Sequence, residues 1–258
     1  MKKASYLILA FLLSGSFIVM AQKPIEKKVN DTTNQYDANQ LKTGYWEEKT
    51  GEIVMKGYYV KNEKVNNWIG YYPNRVIQKI EFYTNGIKNG ISVQFDRKGK
   101  ITMVENYKNG LLEGAVFTYH QYNESVTSET NYLNGKKNGV IRLYYDNGKL
   151  QEESYYLDDQ KEGTSKWFTK TGRTMAIYNY KEGKFEGEQK TYFENDTIQT
   201  ISSYAKNLLS GEYKEFYRNG KFKISGRYVD GKKDGSWAEY DELGNPTHVT
   251  RFKLGIEK

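Results

Sequence analysis

The sequence contains no cysteine, and only two histidines and three prolines occur among its 258 residues. Without a thiol, the chain cannot form a disulfide, a thiolate metal site or a cysteine nucleophile. His120 and His248 lie about five 24-residue repeats apart, so one chain cannot bring both into a single site. Neither a phosphate-binding Gly-x-x-x-x-Gly-Lys-Ser/Thr sequence nor a His-Glu-x-x-His sequence is present. We therefore expect no metal, no cofactor and no enzymatic activity.

The first residues have the pattern of an export signal. Lys2 and Lys3 precede a largely apolar run over residues 4–20. Serine and glycine interrupt this run, which is shorter than the roughly 20 apolar residues of a membrane span. We predict a signal peptide over residues 1–21, cleaved between Ala21 and Gln22. The mature chain would then lie in the periplasm or outside the cell, with no transmembrane segment after processing.

The next segment, residues 22–42, is rich in Lys, Asn, Asp, Thr and Gln and has few apolar side chains, which predicts a flexible polar lead-in. Removal of residues 1–21, which contain two lysines and no carboxylates, lowers the formal charge from +7 to 39 − 2 − 32 = +5. The remaining lysines are spread along the chain, which is typical of a solvated sheet face rather than of a nucleic-acid surface. We expect no nucleic-acid partner.

Two rows of aromatic residues recur about every 24 positions. Such self-similarity at a fixed period is the signature of a repeat protein, and nine repeats fill residues 43–258. The first row is Tyr59, Tyr83, Tyr107, Tyr132, Tyr156, Tyr180, Tyr204, Tyr228 and Phe252, and the second is Tyr72, Phe95, Tyr119, Tyr144, Phe168, Tyr192, Phe216 and Tyr240.

Turn residues occur at fixed offsets from both rows. Three positions after each first-row aromatic stands Gly, Asn or Asp, the residues that enter the left-handed region at low cost. The same restriction holds four positions after the second row, with Val76 as the exception. Short segments of alternating polarity lie between these turns and predict strands. The fold class we predict is all-β: an elongated antiparallel sheet of β-hairpin repeats, with two strands in each of about nine repeats.

Segments such as FYRNGK at 216–221 and YVDGKKDG at 228–235 resemble the bacterial variant of the MORN repeat. The resemblance covers roughly residues 43–258. It implies an elongated sheet of successive hairpins that functions in protein contacts, in dimerisation and in contacts with membrane lipids, and some bacterial members of the family are labelled as antitoxins.

These patterns favour one function and leave two alternatives open. The leading hypothesis is an exported, non-enzymatic scaffold that mediates protein–protein interaction or assembly at the cell envelope, with another protein as its partner and oligomerisation left open. The alternatives are a cell-wall or polysaccharide-binding module, and an antitoxin or immunity-type protein. We expect the two rows to form the core, so the candidate partner contacts are aromatics outside them: Trp46, Trp68, Trp167, Trp237, Tyr145 and Tyr217.

Overall fold

The computed structural model of the chain describes residues 32–258. Every regular element in this range is a β-strand, and neighbouring strands pair antiparallel to form one open 24-stranded sheet of hairpins. The predicted fold class is therefore confirmed. The predicted signal peptide and its cleavage between Ala21 and Gln22 lie outside the described residues.

The strands are β1 Gln35–Tyr36, β2 Lys42–Thr50, β3 Ile53–Val60, β4 Glu63–Tyr71, β5 Ile77–Thr84, β6 Ile87–Lys88, β7 Gly90–Phe95, β8 Ile101–Lys108, β9 Leu111–Leu112, β10 Gly114–Tyr119, β11 Val126–Leu133, β12 Lys136–Tyr144, β13 Leu150–Leu157, β14 Gln160–Lys161, β15 Gly163–Phe168, β16 Thr174–Lys181, β17 Lys184–Phe185, β18 Gly187–Tyr192, β19 Ile198–Ala205, β20 Leu208–Phe216, β21 Phe222–Val229, β22 Lys232–Tyr240, β23 Pro246–Lys253 and β24 Ile256–Glu257. Four predicted strands are each split by one residue, into β6/β7, β9/β10, β14/β15 and β17/β18. Counted as single strands, these bring β2 to β23 to the predicted two strands for each of nine repeats.

The turn after each first-row aromatic has the same backbone conformation in all nine repeats. Its two central residues both have positive φ, as at Lys61 (49°) and Asn62 (67°) between β3 and β4. Positive φ at both positions defines a type I′ turn, whose twist matches that of the flanking strands. The restriction to Gly, Asn and Asp at the second central position thus reflects a backbone requirement, as the sequence predicted.

The second aromatic row begins at Tyr71, so its assignment to Tyr72 was wrong by one residue. The ladder shifts register at each member of this row, and Tyr71 pairs with Ile77 just as Phe95 pairs with Ile101. The two adjacent tyrosines made the positions indistinguishable by residue type. In the corrected register the left-handed residue of this turn is Arg75, with φ 66°.

The same correction removes the exception at Val76. The position four residues after Tyr71 is Arg75, which adopts positive φ like the glycines of the other repeats. In repeat four the loop is one residue longer, so the left-handed residue is Glu124 (φ 58°) rather than Asn123. The backbone conformation is therefore kept even where the residue type does not favour it.

The end of the predicted lead-in lies along the first edge of the sheet. β1 pairs with the start of β2, and the Asn34 amide donates to the Tyr45 carbonyl at 2.9 Å. The Tyr36 ring packs edge-on against Trp46 with a centroid distance of 5.2 Å. The structure thus adds a short strand where the sequence predicted a flexible segment, because Tyr36 supplies an aromatic contact. Residues 22–31 lie outside the described part of the chain.

The sheet has two unlike faces. We call the one that carries the first aromatic row the tyrosine face, and the other the opposite face. Directly paired residues share a face, so the strand register assigns each side chain to one of them. Every extensive contact between strands of residues 32–258 joins ladder neighbours, so no second layer covers either face within this range.

Candidate interaction surface

Three of the four tryptophans are buried on the tyrosine face. Trp46, Trp68 and Trp237 expose 6%, 0% and 5% of their surface. The indole Nε1 groups of Trp68 and Trp237 donate to the carbonyls of Tyr58 and Arg227, each at 3.2 Å. Their role as partner contacts stays a prediction, but this burial argues against it. In a single-layer sheet a large ring can be covered by neighbouring rings on the same face, which a sequence pattern does not reveal.

A glycine on the preceding strand makes room for the ring of Trp68, and another does so for the ring of Trp237. A Cβ added to Gly57 would lie 2.4 Å from the Trp68 ring, and one added to Gly226 would lie 2.2 Å from the Trp237 ring. Each glycine is within a strand, two positions before a first-row tyrosine. A glycine inside a strand pattern indicates close approach of another group, and this was the sequence signal for both clusters.

Tyr145 and Tyr217, the two non-row tyrosines singled out from the sequence, link successive repeats. Their hydroxyls donate to the carbonyls of Phe168 and Tyr240, 23 residues further on, at 2.7 and 2.8 Å. Tyr72 makes the corresponding bond in repeat two. Both candidate side chains are half-buried, so these tyrosines have a structural role that the sequence analysis did not identify.

A set of asparagines at the same turns also went unnoticed in the sequence. The Asn147 side-chain amide donates to the Lys170 carbonyl at 2.9 Å, and Asn219 donates to the Glu242 carbonyl at 2.8 Å. Each bond joins one turn to the equivalent turn of the next repeat. The signal was an asparagine recurring at the 24-residue period, and the other members are Asn74, Asn123 and Asn195.

Trp167 differs from the other tryptophans. Its side chain is only half-buried, and no group among residues 32–258 accepts a hydrogen bond from its buried Nε1. It lines a depression of about 380 Å³ together with Met175, Ala176, Thr191 and Tyr192. Of the six candidate contacts, Trp167 is thus the one that combines partial exposure, a buried Nε1 with no acceptor among residues 32–258, and an adjoining concave surface.

Lysines lie over the rings of the first aromatic row. Lys88 Nζ is 4.9 Å from the centroid of Tyr107, and Lys161 Nζ is 5.1 Å from that of Tyr180. Such contacts are attractive because the ring face carries partial negative charge. Burial raises the pKa of Tyr180 to about 12. The first row is thus partly covered by lysine side chains, which fits the predicted structural role better than a row of open binding platforms.

Glu81 is a carboxylate on the tyrosine face with only 3% of its surface exposed. It forms ion pairs with Lys88 at 2.6 Å and with Lys79 at 3.1 Å, and the Tyr83 hydroxyl donates a hydrogen bond to it at 3.1 Å. Burial alone would raise the pKa of Glu81, but the hydrogen bonds and charges of the two lysines outweigh it and hold the pKa below its usual range. Glu81 is therefore a structural carboxylate whose charge is paired with two lysines.

Residues 32–258 offer no cluster of three or more His, Asp or Glu side chains that could hold a metal ion. No helix in this range has the length and apolar character that crossing a bilayer would require.

The opposite face carries a row of side chains in which each member is paired directly with the next. Its first part is apolar across five neighbouring strands: Ile69, Ile80, Val93, Val104 and Phe117. We call these five residues the apolar strip. All are half-buried except Val104, which is buried. The row then continues with charged residues, Glu129, Arg142, Glu153 and Lys166.

No curated protein matches the chain in sequence. The family model described as the MORN repeat variant matches residues 137–158, 185–206 and 209–230. Each match covers one pair of strands and ends within the next type I′ turn, so it corresponds to one hairpin unit of the sheet. With the same turn geometry present in all nine repeats, these matches identify the chain as a MORN-repeat protein.

Proposed function

We propose that the protein is an exported, non-enzymatic scaffold that binds another protein, or mediates assembly, at the cell envelope. MORN repeats are in general scaffolds that bind proteins or membranes. Export rests on the predicted signal peptide of residues 1–21, and the absence of enzymatic activity rests on the missing thiols and the two separated histidines. The envelope location follows from export in a chain predicted to have no transmembrane segment after processing.

The observation that supports binding best is the single-layer sheet. In a globular domain each sheet buries at least one face against a second layer. Here residues 32–258 form one layer, and both faces keep half-buried side chains along its length. A partner that supplied the missing layer would bury more of these side chains. Recognition would depend on extended surface complementarity rather than on one deep cavity.

We place a partner contact at Trp167. Interfaces draw much of their binding energy from a few tryptophan, tyrosine and arginine side chains, which are fully desolvated in the complex. Trp167 is half-buried in the free chain, so a partner that covered the rest of its ring would desolvate the side chain fully. The depression beside Met175 and Tyr192 would receive an apolar group.

A pull-down from envelope extract tests the proposal. The full chain should enrich one specific protein over a control chain with scrambled repeats. Trp167→Ala should reduce recovery of that protein by about tenfold or more, because truncating a central anchor costs at least about 2 kcal/mol of binding. Tyr122→Ala serves as the control, since it truncates an exposed aromatic side chain that is not a candidate contact and should leave recovery unchanged. Circular dichroism must show that both variants remain folded.

The same purified chain can be used to distinguish the two alternative functions from the scaffold proposal. Sedimentation of the chain with purified peptidoglycan, with no protein enriched in the pull-down, would replace the proposal by a cell-wall or polysaccharide-binding module. Enrichment of a toxin encoded beside the gene would instead support the antitoxin or immunity alternative. Recovery of no protein above the scrambled control would overturn the scaffold proposal.

A further inference from the structure

Lysines recur on the opposite face in three successive repeats. In repeats six to eight the row beyond the apolar strip reads Lys166, Ile177, Lys190, Ile201 and Lys214, each paired directly with the next. We call the three lysines the lysine row. They lie 24 residues apart in sequence and on every second strand of the ladder, so their Cα atoms recur about every 10 Å. No second layer covers this face within residues 32–258.

The lysine row differs from the preceding repeat, where the same position is Arg142. Arg142 forms ion pairs with Glu129 at 3.2 Å and with Glu153 at 2.8 Å, the residues on either side of it in the row. Isoleucines instead separate the three lysines from one another. Lys166 is exposed and has no ion-pair partner among residues 32–258. Positive charge is therefore neutralised in repeat five and available in repeat six.

Each of the other two lysines has a carboxylate beside it. Lys190 pairs with Glu188 and Lys214 with Glu212, both at 2.6 Å, and each glutamate stands two positions earlier on the same strand. Both carboxylates are exposed. Exposed ion pairs contribute little free energy, so a ligand can replace either partner at small cost. Repeats seven and eight thus each present one cation and one hydrogen-bond acceptor side by side.

We infer that the lysine row binds an extended acidic polysaccharide that carries one carboxylate for every two sugar rings. An extended β-linked polysaccharide advances by about one strand spacing per ring, so its carboxylates recur at the interval of the three lysines. Each lysine binds one carboxylate. The sugar hydroxyls donate hydrogen bonds to Glu188 and Glu212, and the C–H faces of the rings pack on Ile177 and Ile201.

The two glutamates favour a sugar over other polyanions. Polyphosphates and nucleic acids carry acidic groups along their length and would be repelled by Glu188 and Glu212, whereas a sugar offers hydroxyl donors to both. Surfaces that bind single-stranded nucleic acid also place aromatic side chains where the bases stack. The residues between the lysines are isoleucines, which offer no such platform.

The position of the row suits a long polymer. Ile201 lies five residues from the turn residues on either side, Asp196 and Lys206, so the row crosses the middle of the strands. Neighbouring strands rotate by about 20 to 25°. Near the middle of the strands this rotation turns the side chains about the row but displaces them little from it. A polysaccharide can follow by rotating at its glycosidic bonds.

Binding of hyaluronan to the purified full chain tests the inference, because this polymer carries one carboxylate per disaccharide. Isothermal titration calorimetry should detect binding. Replacing Lys166, Lys190 and Lys214 together by glutamine should weaken it by about tenfold or more, because three charge-assisted contacts are lost. Hyaluronan whose carboxyl groups have been reduced to alcohols should bind the native chain with a similar deficit. No binding of hyaluronan, or equal binding of the reduced polymer, would overturn the inference.

The matched control replaces Lys49, Lys98 and Lys108 by glutamine. These lysines are exposed, lie in repeats one and three, and form no ion pair with a residue of the described range. The two triple variants therefore have the same net charge, and the control should bind hyaluronan as the native chain does. Equal losses in both variants would assign the binding to net charge and contradict a site at the lysine row. Circular dichroism shows whether each variant keeps the fold.

A gain of affinity tests the spacing. Ala238 occupies the lysine position in repeat nine, 24 residues after Lys214, and continues the same row. Ala238→Lys adds a fourth cation at the same interval and should raise the affinity for hyaluronan several-fold. Thr84→Lys adds the same charge at an exposed position in repeat two and should leave it unchanged. Equal effects of the two changes would contradict the regular spacing.

A comparison with single-stranded DNA tests the choice of ligand. At equal concentration of negative charge, the native chain should bind hyaluronan more tightly than an oligothymidylate. Replacing Glu188 and Glu212 by glutamine should raise the affinity for the oligothymidylate more than that for hyaluronan, because glutamine keeps an acceptor but removes the repulsion. A native chain that binds both polymers equally well would show a general polyanion surface and overturn the inference.

This inference goes beyond the proposed scaffold function and can fail separately from it. Trp167 lies on the tyrosine face, whereas the lysine row lies on the opposite face. A chain that binds hyaluronan through the lysine row but enriches no protein would support the inference and count against the scaffold. A chain that enriches a protein through Trp167 but binds no hyaluronan would leave only the scaffold function.

Discussion

The clusters around Trp68 and Trp237 are built alike, although 169 residues separate them. Each indole lies over a glycine, packs on a first-row tyrosine at a centroid distance of 4.9 Å and donates to a strand carbonyl. A lysine covers each ring, Lys64 at 4.0 Å and Lys233 at 4.4 Å. The same local sequence requirement, a strand glycine before a tyrosine and a tryptophan on the next strand, thus yields the same packing twice.

The clusters differ in the residue that pairs with the tryptophan on the following strand. Trp68 is paired with the buried Glu81, and its ring is fully covered. Trp237 is paired with Thr250, exposes 5% of its surface and borders an open depression of about 310 Å³. The comparison shows that burial of a side chain in a single-layer sheet depends on the strands on both sides, so position in the array matters as much as residue type.

Truncating the rings should produce the largest effects. We expect Trp68→Ala to lower the free energy of unfolding by about 3 to 5 kcal/mol, because it leaves a cavity among buried aromatic side chains. Trp237→Ala should cost less, since fewer strands pack beyond it. Urea unfolding followed by circular dichroism measures both. Equal losses would break the proposed dependence on position in the array.

The glycines beneath the rings should give the next largest effects. Gly57→Ala and Gly226→Ala should each destabilise the chain by about 1 to 3 kcal/mol, because the added methyl group overlaps a tryptophan ring. Ser202→Ala is the matched control, at the Gly226 position one repeat earlier, where no atom is added. If the overlap is the cause, Gly226→Ala should cost much less in a Trp237→Leu background. Simple additivity would assign the loss to the backbone instead.

Acid should lower the stability of the cluster around Trp68, which contains Glu81, more than that of the cluster around Trp237. We expect this to be the smallest of the three predicted effects on stability. The pKa of Glu81 is lowered in the folded chain, so its ion pairs contribute stability above the ordinary value of 4.5, and this contribution is lost as pH falls through the folded pKa. Glu81→Gln should lose about 1.5 kcal/mol at pH 7 and little relative to the native chain in strong acid. Urea midpoints measured from pH 7 to pH 3 provide the check.

The matched control for this pH dependence is Glu105→Gln, at the same position one repeat later. No lysine or arginine forms an ion pair with Glu105 among residues 32–258. Its replacement should therefore change stability less at pH 7. A Glu81→Gln variant whose deficit is the same at pH 7 and pH 3 would show that the loss arises from packing rather than from charge.

Most of the fold could be predicted because its requirements are local. The nine type I′ turns need two consecutive residues with positive φ, and Gly, Asn and Asp mark the second of these positions in the sequence. The second aromatic row was misplaced at its first member because Tyr71 and Tyr72 are both aromatic. Arg75 and Glu124 adopt positive φ at later turns, so residue type alone could not locate those left-handed positions.

The candidate contacts could be predicted less well, because exposure depends on neighbours distant in sequence. Their irregular placement singled out the tryptophans, but three of them fill the tyrosine face. Tyr145 and Tyr217 were singled out for the same reason and bind carbonyls 23 residues away. Only Trp167 combines partial exposure with a polar atom that lacks a partner among the described residues.

The sequence by itself determined the period, the strand and turn alternation and the all-β class, since each follows from dihedral preferences and from polarity along a few residues. Only the tertiary structure decided which side chains share a face and how deeply each is covered. The physical reason is that a strand's register with its neighbours sets both properties, and many of the paired residues lie ten or more positions apart, as Trp68 and Glu81 do. The aromatic period thus describes how the repeats are held together, while the surface chemistry emerges only when the rows are assembled across the strands.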